Sequence, residues 1–148
     1  MLFVRSYSKH YDQNLILAVE DLQFKPGIHW IKGENGSGKS TFFKSIAGLI
    51  PFEGEIQIKS HSIRQQPLVY RKLVNYSEAE PLYPGFLTAK DLVRFVGETK
   101  GADVAQQIFF CETLGVDAFF TKPCEACSSG MLKKISLVMA FLGKPEVI

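Results

Sequence analysis

An α/β fold is predicted, and three observations predict it. Short runs with β-like alternation fill the first half of the chain, the glycine-rich stretch GENGSGKS lies between one such run and a helical pattern, and the second half carries apolar residues at three- and four-residue spacing. A chain of 148 residues suffices for one compact domain with its own core, and not comfortably for two. Apolar residues at 46% and charged residues at 22% are ordinary for a soluble globular chain, and a formal net charge of +2 is too small to argue for nucleic acid or anionic lipid as a partner.

From Leu2 to Phe24, LFVRSYS and LILAVEDLQF read as strands separated by the polar KHYDQN, and KPG at 25–27 is a turn. IHWI follows as a short strand of β-branched and aromatic residues that runs into the glycine loop at Gly33. Phe42, Phe43, Ile46, Leu49 and Ile50 recur on one helical face, with Gly48 and Pro51 bracketing its end. GEIQIK alternates at Ile56 and Ile58 as a half-exposed strand, and PLVYRKLVNYS is expected to contain another. EPLYPGFL is a turn region, after which Thr88 and Asp91 form a capping box that opens a helix through Leu92, Phe95 and Val96. Further helices are expected over 103–114, with Gly115 past the end, and over 129–142, stopped by Gly143 and Pro145.

Cys111, Cys124 and Cys127 are an odd number without a secretory signal, since MLFVRSYSKH turns polar before a signal-type apolar core is complete; a reducing, cytosolic setting is expected. CEAC has the spacing of a metal knuckle, yet no second pair or nearby histidine completes four zinc ligands, so these read as ordinary core thiols. No run approaches the roughly 20 apolar residues of a membrane span, so membrane association has to come through a partner.

GENGSGKS satisfies GxxxxGK[ST] at Gly33, Gly38, Lys39 and Ser40, in the strand-before, helix-after context that a phosphate loop requires. Glycines let the backbone curl until successive N–H groups point at phosphate oxygens, and the helix N-terminus adds partial positive charge. A side chain at Gly36 or Gly38 is expected to crowd the anion. Lys39 supplies a point charge to the outer phosphates and to the transition state, and the Ser40 hydroxyl is placed to ligate a magnesium ion bridging them. The candidate nucleotide-binding set on this loop is Gly33, Asn35, Gly36, Ser37, Gly38, Lys39, Ser40 and Thr41.

Along nearly its whole length the chain resembles the ATP-binding subunits of ABC transporters. GENGSGKSTFFKSIAGLIPFEGEI is similar to the family's Walker A segment, helix and following strand; SKHY resembles the place where the family presents an aromatic ring to adenine, which points to Tyr11. ACSSGMLKKISLVMAFLGKPEVI resembles the signature segment, with Cys127, Ser128, Ser129, Gly130 and Met131 in place of the usual LSGGQ. The resemblance implies a P-loop NTPase core of the ABC type, incomplete at its C-terminus, with a β-rich part over 1–85 and a mainly helical signature part over 86–148. It implies ATP and magnesium as ligands, and a second ATP-binding subunit whose γ-phosphate meets Ser128, Ser129, Gly130 and Met131 in trans. It also implies a transmembrane permease as partner, and a place on the cytoplasmic face of the membrane. PLYPGF lies where the family contacts its membrane partner, with Tyr83 and Phe86 as anchors or, equally, as a small satellite core. Lys133 and Lys134, near the signature helix start, read as solvated.

This sequence departs from the family pattern at several points. The glutamine expected after LVNYS falls at Ala79, with Glu78 and Glu80 on either side; alanine cannot ligate magnesium or orient a water through its side chain, so either a neighbouring glutamate substitutes or communication runs differently. Ser129 and Met131 replace the usual glycine and glutamine. Ile148 precedes the Walker B aspartate, catalytic glutamate and switch histidine that the resemblance places further on, and His10, His29 and His61 lie too early to serve as the last. Residues 1–148 are therefore expected to bind nucleotide without efficient hydrolysis, and the strand 28–31 is expected to lack a neighbour. The alternatives are a small-molecule kinase built on the same loop, whose scattered arginines supply no basic lid, and a nucleotide-binding interaction module without turnover. A GTPase would need an NKxD-type segment, which the sequence does not contain.

Overall fold

The computed structural model describes residues 1–148 and separates them into two compact units, Met1–Val74 with Val147, and Asn75–Glu146 with Ile148. The division falls after Val74, earlier than the boundary at 85 expected from the resemblance.

The first unit is built on an antiparallel sheet in the order β2-β1-β3-β4. β1 (Leu2–Tyr11) and β2 (Asn14–Phe24) form a long hairpin. KHYDQN does not interrupt them: only Asp12 and Gln13 turn, with Asp12 in the left-handed region (φ 52°), where an aspartate side chain is tolerated. β3 (Glu53–Ile58) pairs with the other edge of β1, burying Ile56 and Ile58 completely, and β4 (His61–Ser62) follows. α1 (Lys39–Ile46) packs Phe42 and Ile46 against Leu2, Val4 and Tyr7. The Tyr7 ring meets Phe42 edge-on at 5.2 Å and its hydroxyl bonds Ser45 Oγ at 2.9 Å, so the helix is tied to the sheet by apolar burial and a satisfied polar pair.

Three expectations for this unit are corrected. Residues 28–32 form no strand: Ile28 and Trp30 are exposed and only Ile31 packs on the core, because no strand in the unit offers them a ladder. α1 ends two residues before Gly48 (φ 71°), which leaves Leu49 exposed and Phe43 at the rim instead of in the core. PLVYRKL is α2 (Pro67–Leu73), opened by proline at its first position and held by Tyr70, whose hydroxyl donates to the Ile46 carbonyl at 2.7 Å. Of the strand expected in that segment, only Val74 pairs, in a parallel bridge to Val147.

The second unit is helical. α3 (Ala89–Lys100) begins with a complete capping box: Asp91 N–H donates to Thr88 Oγ1, while Thr88 N–H and Oγ1–H donate to the Asp91 carboxylate. α4 (Val104–Leu114) is capped by the Asp103 carboxylate and closed by left-handed Gly115, and α5 (Ser129–Phe141) is capped by Ser128. Their shared core contains Val93, Cys111, Val116, Cys124, Ile135, Val138 and Leu142. No helix is long and apolar enough to cross a membrane.

Candidate functional site

The glycine loop begins where residues 28–32 leave the core and ends in the first turn of α1. Gly36 (φ 82°) and Gly38 (φ 83°) are both left-handed, one residue apart, an arrangement that turns successive N–H groups toward one side. The reason for glycine differs between them. A Cβ on Gly36 would meet no protein atom within 4 Å, so its backbone angle alone demands glycine; one on Gly38 would come to 3.2 Å of Ile16 Cγ2 and 3.4 Å of Leu17 Cβ. A Cβ on Gly33 would sit 2.7 Å from Ser37 Oγ, a contact that rotation of the exposed serine side chain relieves, so neither space nor backbone angle demands glycine there.

Gly38 is also the N-cap of α1 and has no side chain to accept from the first-turn amides. Those donors and the helix dipole therefore face outward at the point where the loop curls. The Lys39 ammonium folds back over this turn and donates to the carbonyls of Gly33 (2.8 Å) and Glu34 (2.6 Å) and to Ser37 Oγ at 3.3 Å. Its charge is thus held inside the loop by exchangeable acceptors rather than by a carboxylate. Ser40 and Asn35 are exposed, while Thr41 is half-buried, its carbonyl accepting from Ser45 Oγ at 3.0 Å. The helix that carries the loop is fixed to the sheet through the same Ser45.

Tyr11 stands at the end of β1, 49% exposed, with the Lys9 ammonium 4.6 Å from its ring centroid. In the second unit Ser128 Oγ accepts from Met131 N–H at 3.3 Å, a helix cap, and leaves Ser129 and Gly130 exposed at the start of α5 with Met131 half-buried.

The segment around Ala79 is better ordered than its sequence suggests. Ala79 and Glu80 are exposed, whereas Glu78 is half-buried: its carboxylate accepts from Tyr76 Oη at 3.3 Å and its carbonyl from Lys133 Nζ at 2.6 Å. Lys133 also donates to Ser77 Oγ (3.2 Å), which lies 3.1 Å from Ser136 Oγ, and Asn75 Nδ2 donates to the carbonyls of Ala140 and Leu142. Residues 75–78 are therefore fastened along α5. Burial pushes the Tyr76 phenol up, and the neighbouring Glu78 carboxylate adds to this. Reading Lys133 as solvated is corrected here; its helical spacing from buried Ser136 and Ala140 was the signal that placed it on the inner stripe.

Tyr83 and Phe86 part company. Tyr83 packs on the helical core, where burial raises its phenol pKa, whereas Phe86 is exposed together with Leu82. Cys111 and Cys124 are buried, free, and pushed up by desolvation; Cys127 is half-exposed and donates to the Pro123 carbonyl.

Against known proteins, the family profile described as "ABC transporter" matches residues 20–148. The chain belongs to this family, as an ATP-binding subunit with an ABC-type P-loop NTPase fold. It is 26% identical to a cytochrome c biogenesis ATP-binding export protein of Legionella pneumophila, over 93% of this chain and 69% of that one. It is 27% identical to a spermidine/putrescine import ATP-binding protein of Spiroplasma citri, over all of this chain and 44% of that one. Against an ATP-binding cassette sub-family A member of Rattus norvegicus it is 26% identical and spans 7% of the length. The fold matches a dimeric ATP-binding cassette in a post-hydrolysis state bound to ADP and Pi, with TM-score 0.83 at 18% identity over 98% of this chain and 71% of the other. It also matches an ATP-binding subunit of an ABC transporter, with TM-score 0.78 at 24% identity over 97% and 62%.

Proposed function

We propose that residues 33–41 hold the phosphates of ATP, with Mg, and that Tyr11 presents its ring to the adenine. One observation carries this reading: a lysine ammonium gathered by the loop's own carbonyls, beside two left-handed glycines at a helix start with no side-chain cap. The residues fit the ligand. Open amides and the Lys39 charge suit an anion, and the exposed Ser40 hydroxyl is the group that would hold a magnesium ion beside it. A bound magnesium ion would neutralise charge on the phosphate chain. Lys39 exchanges carbonyl partners for phosphate oxygens, Gly36 and Gly38 keep the amides converged, and Asn35, Ser37 and Thr41 line the turn around them.

In the complete protein, an ATPase like other members of its family, Ser128, Ser129, Gly130 and Met131 would face the γ-phosphate of ATP held by a second ATP-binding subunit. The exposed small residues at the α5 start, and the dimeric state of the ADP-bound neighbour, support this. The partners are that second subunit and a transmembrane permease, with Phe86 and Leu82 as exposed anchors for it, and the setting is the cytoplasmic face of a membrane. Of the two glutamates flanking Ala79, Glu80 is the candidate to take the glutamine's place, because the Glu78 carboxylate is turned to Tyr76. For residues 1–148 by themselves the reading is binding without efficient turnover: the partners of the Lys39 ammonium are two carbonyls and a serine hydroxyl, with no carboxylate among them to act on a water.

An ATP titration of the chain run beside a phosphate-release assay tests this reading. Saturable Mg-ATP binding that Lys39→Ala weakens about thirtyfold or more, with negligible phosphate release, is the expected result. Absence of binding would refute the site, and steady release lost in the Lys39→Ala control would refute the inactivity of these residues.

A further inference from the structure

Lys9 is a lysine on the inner face of a sheet. It is 8% exposed, next on that face to Tyr7 at 1%, and its ammonium has no carboxylate beside it; its partner is the Tyr11 ring. The sheet covers the stem of the side chain, while the ammonium lies against the tyrosine face in a cation–π contact that needs no carboxylate.

Its location suggests the use. Lys9 stands opposite Leu17 in the β1–β2 register, and Gly38 of the loop approaches the same Leu17, to 3.4 Å from a Cβ built on that glycine to the Leu17 Cβ. Along β1 the order is therefore core (Tyr7), cation beside the loop (Lys9), then exposed ring (Tyr11). We propose that Lys9 is a positioning residue for the base end of the nucleotide: its ammonium holds one face of Tyr11 and presents the other to adenine. A cation on one face draws π-density from the ring, which lowers repulsion with an aromatic base stacked on the opposite face, and it removes rotamer freedom the ring would otherwise lose on binding. This rests on the nucleotide reading above.

The test uses the 148-residue chain with two probes, Mg-ATP and Mg-tripolyphosphate, which has the charge and no base. Lys9→Met keeps the stem and removes the cation; Lys9→Arg keeps a cation able to sit on the ring; Tyr11→Leu removes the ring. Lys9→Met is expected to weaken Mg-ATP about three- to tenfold and to leave tripolyphosphate unchanged, with Lys9→Arg restoring ATP affinity and Lys9→Met adding nothing in the Tyr11→Leu background. Unchanged tripolyphosphate affinity also shows that the variant is folded. The inference is overturned if ATP affinity does not change, if both probes weaken equally, or if the loss persists without Tyr11. A wild-type chain that binds neither probe would bring down the phosphate-loop reading and this inference together. A wild type that binds both, with insensitive Lys9 variants, would remove only the inference.

Discussion

Replacing Lys39 by alanine removes the one cation that the loop gathers to itself. In the structure its ammonium makes contacts of 2.8 and 2.6 Å to the Gly33 and Glu34 carbonyls and a longer one of 3.3 Å to Ser37 Oγ. An ammonium has three donors, and on nucleotide binding two of them would turn to phosphate oxygens. Hydrogen bonds to charged partners contribute about 1.5–3 kcal/mol each, and the carbonyl bonds given up return part of that. The net difference is about 2–3 kcal/mol, or roughly thirty- to a hundred-and-fiftyfold in Kd. Calorimetric titration of Mg-ATP measures it, and Trp30, the only tryptophan and 86% exposed just ahead of the loop, provides a second signal by fluorescence. The same ammonium ties the loop together, so amide exchange over 34–38 should also quicken in the variant. A Kd within twofold of wild type would show that Lys39 does not face phosphate, and the reasoning from loop geometry to ligand would fail.

Other consequences concern stability and reactivity. Gly54 sits at φ 91° where a Cβ would collide with the Ser6 carbonyl and come to 2.6 Å of Arg5 O, so Gly54→Ala should lower stability by at least about 2 kcal/mol and Tm by about 5 °C or more; an unchanged melting curve would contradict the β1–β3 register. The Thr88 hydroxyl and N–H hold the Asp91 carboxyl below its ordinary pKa. A carboxylate depressed in the folded state stabilises above its unfolded pKa and loses that contribution as pH falls through the lower folded value. Urea midpoints should therefore fall on acidification below about pH 4, less steeply in Asp91→Asn than in wild type. Thiol labelling at neutral pH should modify Cys127 first, with Cys111 and Cys124 slow until the chain is denatured, because desolvation raises both buried thiols; equal rates would place them outside the core.

What the sequence by itself determined was whatever depends on neighbours along the chain. The glycine loop ahead of α1, the Thr88–Asp91 box and the glycine stop at Gly115 each need only a few consecutive residues, and all were legible as spacing and residue type. Tertiary structure decided whatever depends on a partner remote in sequence. IHWI has every local mark of a strand yet pairs with nothing in its unit, because a strand is made by its neighbour's hydrogen bonds and not by its own side chains. PLVYRKL became a helix because its proline opens a turn and Tyr70 finds the Ile46 carbonyl, 24 residues away. Lys133 and Lys9 look like surface charges until folding brings the Glu78 carbonyl to one and the Tyr11 ring to the other. A cation's role follows from which groups replace its lost water, and only the folded chain decides which groups those are.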